Sequence, residues 1–162
     1  VNPGATVVQA DSPLTLVDGS VLAGKRVLAV EDGPTLTHGG MRYGAGSLGA
    51  EQAGAAEVVD PRPYLTGELV DTFRAYPEIG PILPAMGYGE QQVADLEATI
   101  RRAAEEGGVE AVAIGTPIDL ARIVDIPVPH TRVLYELSLR GETTVEDLLA
   151  PILERVGAGS SA

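Results

Sequence analysis

Residues 27–49, reading VLAVEDGPTLTHGGMRYGAGSLG, gather more chemically capable groups than any other stretch of the chain. The apolar run Arg26–Val30 stops at two adjacent carboxylates, Glu31 and Asp32. Thr35, Thr37 and His38 follow, among glycines at positions 33, 39, 40, 44, 46 and 49. Glycine lets a backbone approach an anion closely and take positive φ, so a loop of this composition offers several N–H groups to a phosphate. Glu31 and Asp32 are candidate Mg²⁺ ligands. Neighbours on an extended chain point to opposite sides, so one of the two is expected to meet the metal while the other orders the loop. His38 can donate to a phosphate or move a proton near neutral pH, although a lone loop histidine also serves structure. The expected catalytic set is therefore His38, Glu31 and Asp32. Thr35, Thr37, Gly39, Gly40, Gly44 and Gly46 form the phosphate or nucleotide cradle. Lys25, Arg42 and Arg62 are the nearby cations, with Arg42 and Arg62 best placed for phosphate.

Such a loop needs a strand to end at it, and the punctuation of the sequence supplies several. Strands are predicted at Ala5–Gln9, Arg26–Val30, Ala56–Asp60, Ile79–Leu83, Val109–Ile114 and Arg132–Leu139. Pro61 and Pro63 stop the third of them and Pro84 the fourth. Helices are predicted at Ser47–Ala55, at Glu68–Ala75 with Thr66 as N-cap, at Glu90–Glu106, and at Thr144–Val156 capped near Thr143. A single helical turn is expected at Leu120–Val124. Glu90–Glu106 is the clearest, with apolar positions 93, 96, 100, 103 and 104 on one face. Strands alternating with helices predict an α/β fold, a doubly wound, mostly parallel sheet of about five to six strands in a Rossmann-like or P-loop NTPase-like three-layer sandwich. Residues 1–156 are expected to form a single α/β domain, and 157–162 a disordered tail.

Open parallel sheets bind ligands beyond the carboxyl ends of their strands, and unusual residues fall there repeatedly. They include Ala10–Pro13, the Glu31–Gly49 loop, Asp60–Pro63 with Asp60 and Arg62, Pro84–Glu90 with Tyr88 and Glu90, and Gly115–Asp119 with Thr116 and Asp119. Tight turns also use Gly, Pro and Asp, so each loop has an ordinary structural reading beside the functional one. GSVLAGKR at Gly19–Arg26 approaches a P-loop but ends in arginine and precedes a strand, which excludes it. GAGSLG at Gly44–Gly49 opens a helix and is followed by Asp60 at a strand end, the order of an NAD(P)-binding oxidoreductase module. More than ten residues nevertheless separate it from Val30, where a tight turn is required. Thr116–Asp119 loosely matches the base-reading loop of GTPases, with proline in place of lysine; Asp119 as a helix N-cap is the default. His130 follows Pro129 at a strand entrance and reads as structural.

Composition narrows the partners. Hydrophobic content of 44% with 4% aromatics implies an aliphatic interior suited to a parallel sheet. The net charge of −12 argues against nucleic acid and anionic membrane surfaces. No cysteine is present, so no disulfide or thiolate chemistry is available. Nothing approaches the roughly 18 apolar residues of a membrane span, and a cytoplasmic location is the expectation. A chain starting at Val1 is expected to be a processed chain or part of something longer.

Taken together, ADSP, GKRVLAVEDGPTLTHGGMRYGAG, VDPRPY, ILPAMGYGEQQ, AIGTPIDL and RVLYEL resemble the C-terminal part of the cyclic 2,3-diphosphoglycerate synthetase-like family of predicted GTPases, over about Thr6 to Leu139. The resemblance implies a nucleotide-binding enzyme that uses ATP or GTP with Mg²⁺ for phosphoryl transfer, an ATP-dependent ligase or NTPase, acting on a phosphorylated small molecule. It implies functional roles for Glu31, Asp32, Thr35, Thr37, His38, Gly39 and Gly40, then Asp60 and Arg62, Tyr88 and Glu90, and Thr116 and Asp119. In that family a P-loop precedes the matched region, and this chain does not contain one. An N-terminal P-loop domain or subunit is therefore an expected partner, and a homo-oligomer is open. Two rival functions stand beside this one: the NAD(P) module built on Gly44, Gly46, Gly49 and Asp60, and a non-catalytic assembly domain whose partner supplies the P-loop.

Overall fold

Residues 26–32, RVLAVED, alternate between two destinations, as a strand buried on both faces must. Leu28 and Val30 point to one side of the sheet, and Val27, Ala29 and Glu31 to the other. The computed structural model describes residues 2–159. In chain order the elements are β1 (Ala10–Asp11), β2 (Leu14–Leu16), β3 (Arg26–Asp32), α1 (Gly33–Gly39), α2 (Ala45–Gln52), β4 (Glu57–Val58), α3 (Glu68–Ala75), β5 (Leu83–Ala85), α4 (Glu90–Gly107), β6 (Ala111–Gly115), β7 (His130–Tyr135), β8 (Ser138–Leu139) and α5 (Val145–Gly159). Short 3-10 turns lie at Gly19–Val21, Arg62–Tyr64 and Leu120–Arg122.

The chain divides into two compact units. Leu14–Leu134 holds a six-stranded sheet in the order β2-β7-β6-β3-β4, with β5 also paired to β3. The pairings of β3 with β4, β5 and β6, and of β6 with β7, are all parallel. The two short strands share one edge of β3 end to end. β4 pairs at Arg26 and Val27, and β5 at Val30 to Asp32. On one face Leu28, Val30, Val112 and Ile114 pack with Leu96, Ile100 and Ala103 of α4. On the other, Val27, Ala111, Ala113 and Val133 pack with Ala50 of α2 and with Leu22. This is the predicted three-layer α/β sandwich with a mostly parallel sheet.

The face under α2 is built from small residues, and that sets the spacing of the layers. A Cβ at Gly46 would sit 3.1 Å from the Ala113 carbonyl oxygen, and one at Gly49 only 2.6 Å from Val133 Cγ2. The helix backbone thus lies almost directly on β6 and β7.

Several local expectations are corrected. Residues 33–39 form α1 instead of an open loop: Pro34 suits a first helical turn, and Gly40 takes a left-handed C-cap at φ 63°. The glycines that suggested a loop are the boundaries of this short helix. The strand expected at Ala5–Gln9 is not formed, and strands appear instead at β1 and β2. The strand expected at Ile79–Leu83 is β5, Leu83–Ala85, with Pro84 inside it. Proline is tolerated there because β5 pairs on one side only, with β3. Ala56–Asp60 shortens to β4, and Arg132–Leu139 separates into β7 and β8. Thr66 does not cap α3. Gly67 is the N-cap, and the buried Asp95 carboxylate accepts from Glu68 N at 2.8 Å.

The second unit comprises Val1–Pro13 and Tyr135–Ala162. In it β1 and β8 pair antiparallel, supported by an Arg140–Asp11 ion pair, and Thr144 caps α5 by accepting from Asp147 N at 3.1 Å. No residue among 2–13 or 135–156 is buried. α5 extends to Gly159, and the rest of the tail expected at 157–162 lies outside the described residues.

Gly49→Ala should destabilise the fold by about 1–3 kcal/mol in urea titration, because overpacking against Val133 outweighs the roughly 1 kcal/mol helix advantage of alanine. Gly39→Ala is the control: its Cβ would meet nothing closer than Met41 Cγ at 3.8 Å, and its midpoint should hold or rise. An unchanged midpoint for Gly49→Ala would show that α2 is free to lift from the sheet.

Candidate functional site

Glu31, next to last in β3, points to the α2 side and is only 2% exposed. Its Oε1 accepts from Ser47 N at 2.8 Å, and the Gly46 N–H also bonds to the carboxylate. A side chain at Gly44 or Gly115 would overlap Oε2, and a Cβ at Gly46 would stand 3.2 Å from Oε1. Ser47 closes the turn: its Oγ accepts from Gly44 N at 2.9 Å and donates to Gly44 O at 3.0 Å. Helix N-termini attract anions because their first N–H groups are unpaired and the dipole is positive there. At α2 the anion is the chain's own carboxylate. Burial pushes the Glu31 carboxyl above its usual range; the Ser47 and Gly46 N–H groups oppose this, and neighbouring Asp32 adds to it.

Asp32 is half-buried at the mouth of the strand and accepts from Thr35 Oγ1 at 3.0 Å. Thr37 turns its hydroxyl back to Gly33 O at 3.2 Å. His38 and Gly39 lie exposed at the end of α1, Gly40 is its left-handed cap, and Arg42 is exposed in the following loop. The backbone of Arg42 runs so close to Gly80 that any side chain there would collide with the Arg42 carbonyl.

Two further loops and one residue of β7 belong to the same carboxyl edge. Gly33 abuts Ala85 and Met86, bringing the end of β5 beside α1; Tyr88 and Glu90 follow in the chain, Glu90 as the first residue of α4. After β6, Thr116 is buried and donates to Ile118 O at 2.9 Å, while Asp119 occupies the N-cap of the Leu120–Arg122 turn and pairs with Arg122. Arg132 on β7 donates to Pro117 O at 3.1 Å, and its Nε is buried with no partner among the described residues. Sequence reading passed over Arg132 as a strand residue. Its one signal was a cation level with the end of the most hydrophobic strand, in register with Ile114.

Asp60 and Arg62 lie apart from this edge. β4 pairs at Val27, so Asp60 falls about three residues, roughly 10 Å, short of Asp32 along the sheet. Arg62 donates to Asp60 at 2.9–3.0 Å and to Ile79 O, and lies over the Phe73 ring at 5.0 Å from its centroid. It clasps the end of β4 to the approach of β5. GAGSLG does open α2, but α1 intervenes between it and β3; its first two glycines admit Glu31, and its third admits Val133. Among the described residues no group of three or more His, Cys, Asp or Glu is placed to hold a metal ion, and no helix is long and apolar enough to cross a membrane.

Fold and edge together define a three-layer α/β protein whose chemically capable loops gather at the carboxyl ends of a parallel sheet. The chain is 50% identical over 149 residues, 92% of its length, to Arginine synthetase ArcE of Thermococcus kodakarensis. That match covers 32% of the relative, so the chain spans about a third of the length of the synthetase it resembles. A synthetase-like relationship is thereby supported. No protein-family model matches the sequence, and no solved structure does.

The raised Glu31 carboxyl has a signed consequence. A carboxyl whose folded pKa exceeds its unfolded value binds protons more tightly in the folded state, so its contribution is greatest at low pH and is lost as pH rises through the folded pKa. The stability of the native chain minus that of Glu31→Gln should therefore fall from about pH 4, near the ordinary glutamate value, upward. Urea titrations at a series of pH values measure this; a difference that rises with pH would mean that the N–H groups of α2 outweigh desolvation.

Proposed function

We propose that this chain is the α/β portion of a nucleotide-dependent synthetase that forms arginine or a closely related amino acid. The carboxyl edge of its sheet would face the reactants. The observation that carries the reading is the 50% identity to an arginine synthetase over nearly the whole chain. Charge is compatible with it: a net −12 repels free anions but favours a cationic amino acid such as arginine.

In this reading ATP or GTP arrives with Mg²⁺, and the metal's own charge offsets that field. Mg²⁺ commonly uses one or two carboxylates and completes its shell with phosphate and water. Asp32, at the strand mouth beside the Thr35 hydroxyl, fits that demand. Glu31 would reach the metal only if its glycine enclosure opened. Arg132 brings an unsatisfied N–H for a phosphate or carboxylate oxygen. Asp119 and Glu90 are the carboxylates suited to a guanidinium or ammonium, Thr116 and Tyr88 flank them, and His38 stands exposed to carry a proton. Catalysis by positioning and charge compensation requires no reactive nucleophile on this chain. The larger part of the relative, beyond the matched region, would supply the P-loop.

Calorimetric titration of the chain with ATP, GTP, 2,3-diphosphoglycerate and arginine, each with and without Mg²⁺, tests the assignment. Mg²⁺-dependent nucleotide binding weakened at least tenfold by Asp32→Asn is the expected result. A folded sample that binds none of these ligands would overturn the placement of the site on this chain. Saturable NAD(H) binding without Mg²⁺ would replace it with the dinucleotide reading.

A further inference from the structure

Seven of the ten arginines in this acidic chain pair with a carboxylate among the described residues. Of the other three, Arg42 and Arg155 are exposed, where water screens their charge. Arg132 is half-buried, and its guanidinium meets only the Pro117 carbonyl oxygen, 3.1 Å from Nη2. Its Nε is buried with no acceptor among the described residues. A buried donor on a charged group is costly to leave unmade, so each such group calls for a missing acceptor.

The sheet register gives this guanidinium a direction. Ile114 pairs with Val30 of β3 on one side and with Arg132 of β7 on the other. Val133 packs on the α2 face, so Arg132 stands on the opposite face with Ile114 and Val30. Asp32 lies two residues beyond Val30, on that same face. Two strand spacings across and two residues along separate the Cα atoms of Arg132 and Asp32 by on the order of 12 Å.

We infer that Arg132 receives the carboxylate of the amino-acid reactant, whose other end then reaches across β6 toward Asp32. The inference rests on the synthetase reading and deepens it by orienting the amino acid. A planar carboxylate matches the Nε and Nη2 edge of a guanidinium with two parallel hydrogen bonds. Pro117 O occupies one of those two places, and the guanidinium turns off it to present both donors. A phosphate dianion would need a second cation. Arg122 is committed to Asp119, and Lys25 precedes β3 at the far end of the strand.

The test is calorimetric titration of the whole chain with L-arginine, with agmatine (arginine without its carboxylate) and with inorganic phosphate. The native chain should bind arginine at least about tenfold more tightly than agmatine. Arg132→Gln should remove that preference by weakening arginine, leaving agmatine within about twofold of its native affinity. Arg132→Lys, which keeps the charge but not the planar edge, should lose most of the preference too. Equal native affinities for arginine and agmatine would overturn the inference without any variant, and so would binding of neither. Equal weakening of both ligands by Arg132→Gln would make Arg132 a structural residue. Phosphate bound by the native chain and lost in Arg132→Gln, with arginine unaffected, would give the site to a phosphate instead. The two readings fail separately. Preference for arginine without Mg²⁺-dependent nucleotide binding removes only the nucleotide-dependent reading; nucleotide binding without that preference removes only the carboxylate site.

Discussion

Glu31 accepts hydrogen bonds from the first turn of α2 while burial takes it out of water, and the two requirements together fix how closely α2 lies on the sheet. A buried carboxylate is tolerable only when its oxygens are met by donors. Those donors are backbone N–H groups, so the helix terminus must come to the strand. It can do so only because Gly44, Gly46 and Gly115 lack side chains around the carboxylate and Ala111 and Ala113 are small beneath the helix. The same closeness demands Gly49 against Val133. One acidic group thus explains a run of small residues spread across α2 and β6.

The same arrangement explains which parts of the fold were legible in the sequence. The alternation of Val27 to Val30, the long amphipathic α4 and the bounds of α3 follow from periodicity, and those elements form where expected. α1 was hidden because Gly33 and Gly39–Gly40 carry the composition of a loop, whereas a short helix uses glycine at its ends. The enclosure of Glu31 was hidden for a deeper reason. A glycine that admits a phosphate and one that admits the chain's own carboxylate lack the same Cβ, and composition does not separate them. Asp95 repeats the pattern: it accepts from the first turn of α3 across Gly67, whose φ of 53° excludes most side chains. Arg62 was legible as a cation, but its partners at Ile79 and Phe73 come from residues distant in sequence.

With the terminus of α2 filled from within, phosphate chemistry at this edge has fewer donors than the glycine count suggests. What remains open is more selective. Under the proposed function Asp32, at the end of β3, would meet a metal-bound phosphate, and Arg132, on β7 beside β6, holds one N–H without a partner among the described residues. The Mg²⁺ that accompanies the nucleotide in that reading would offset the net charge of −12, leaving one carboxylate and one guanidinium to orient the reactants.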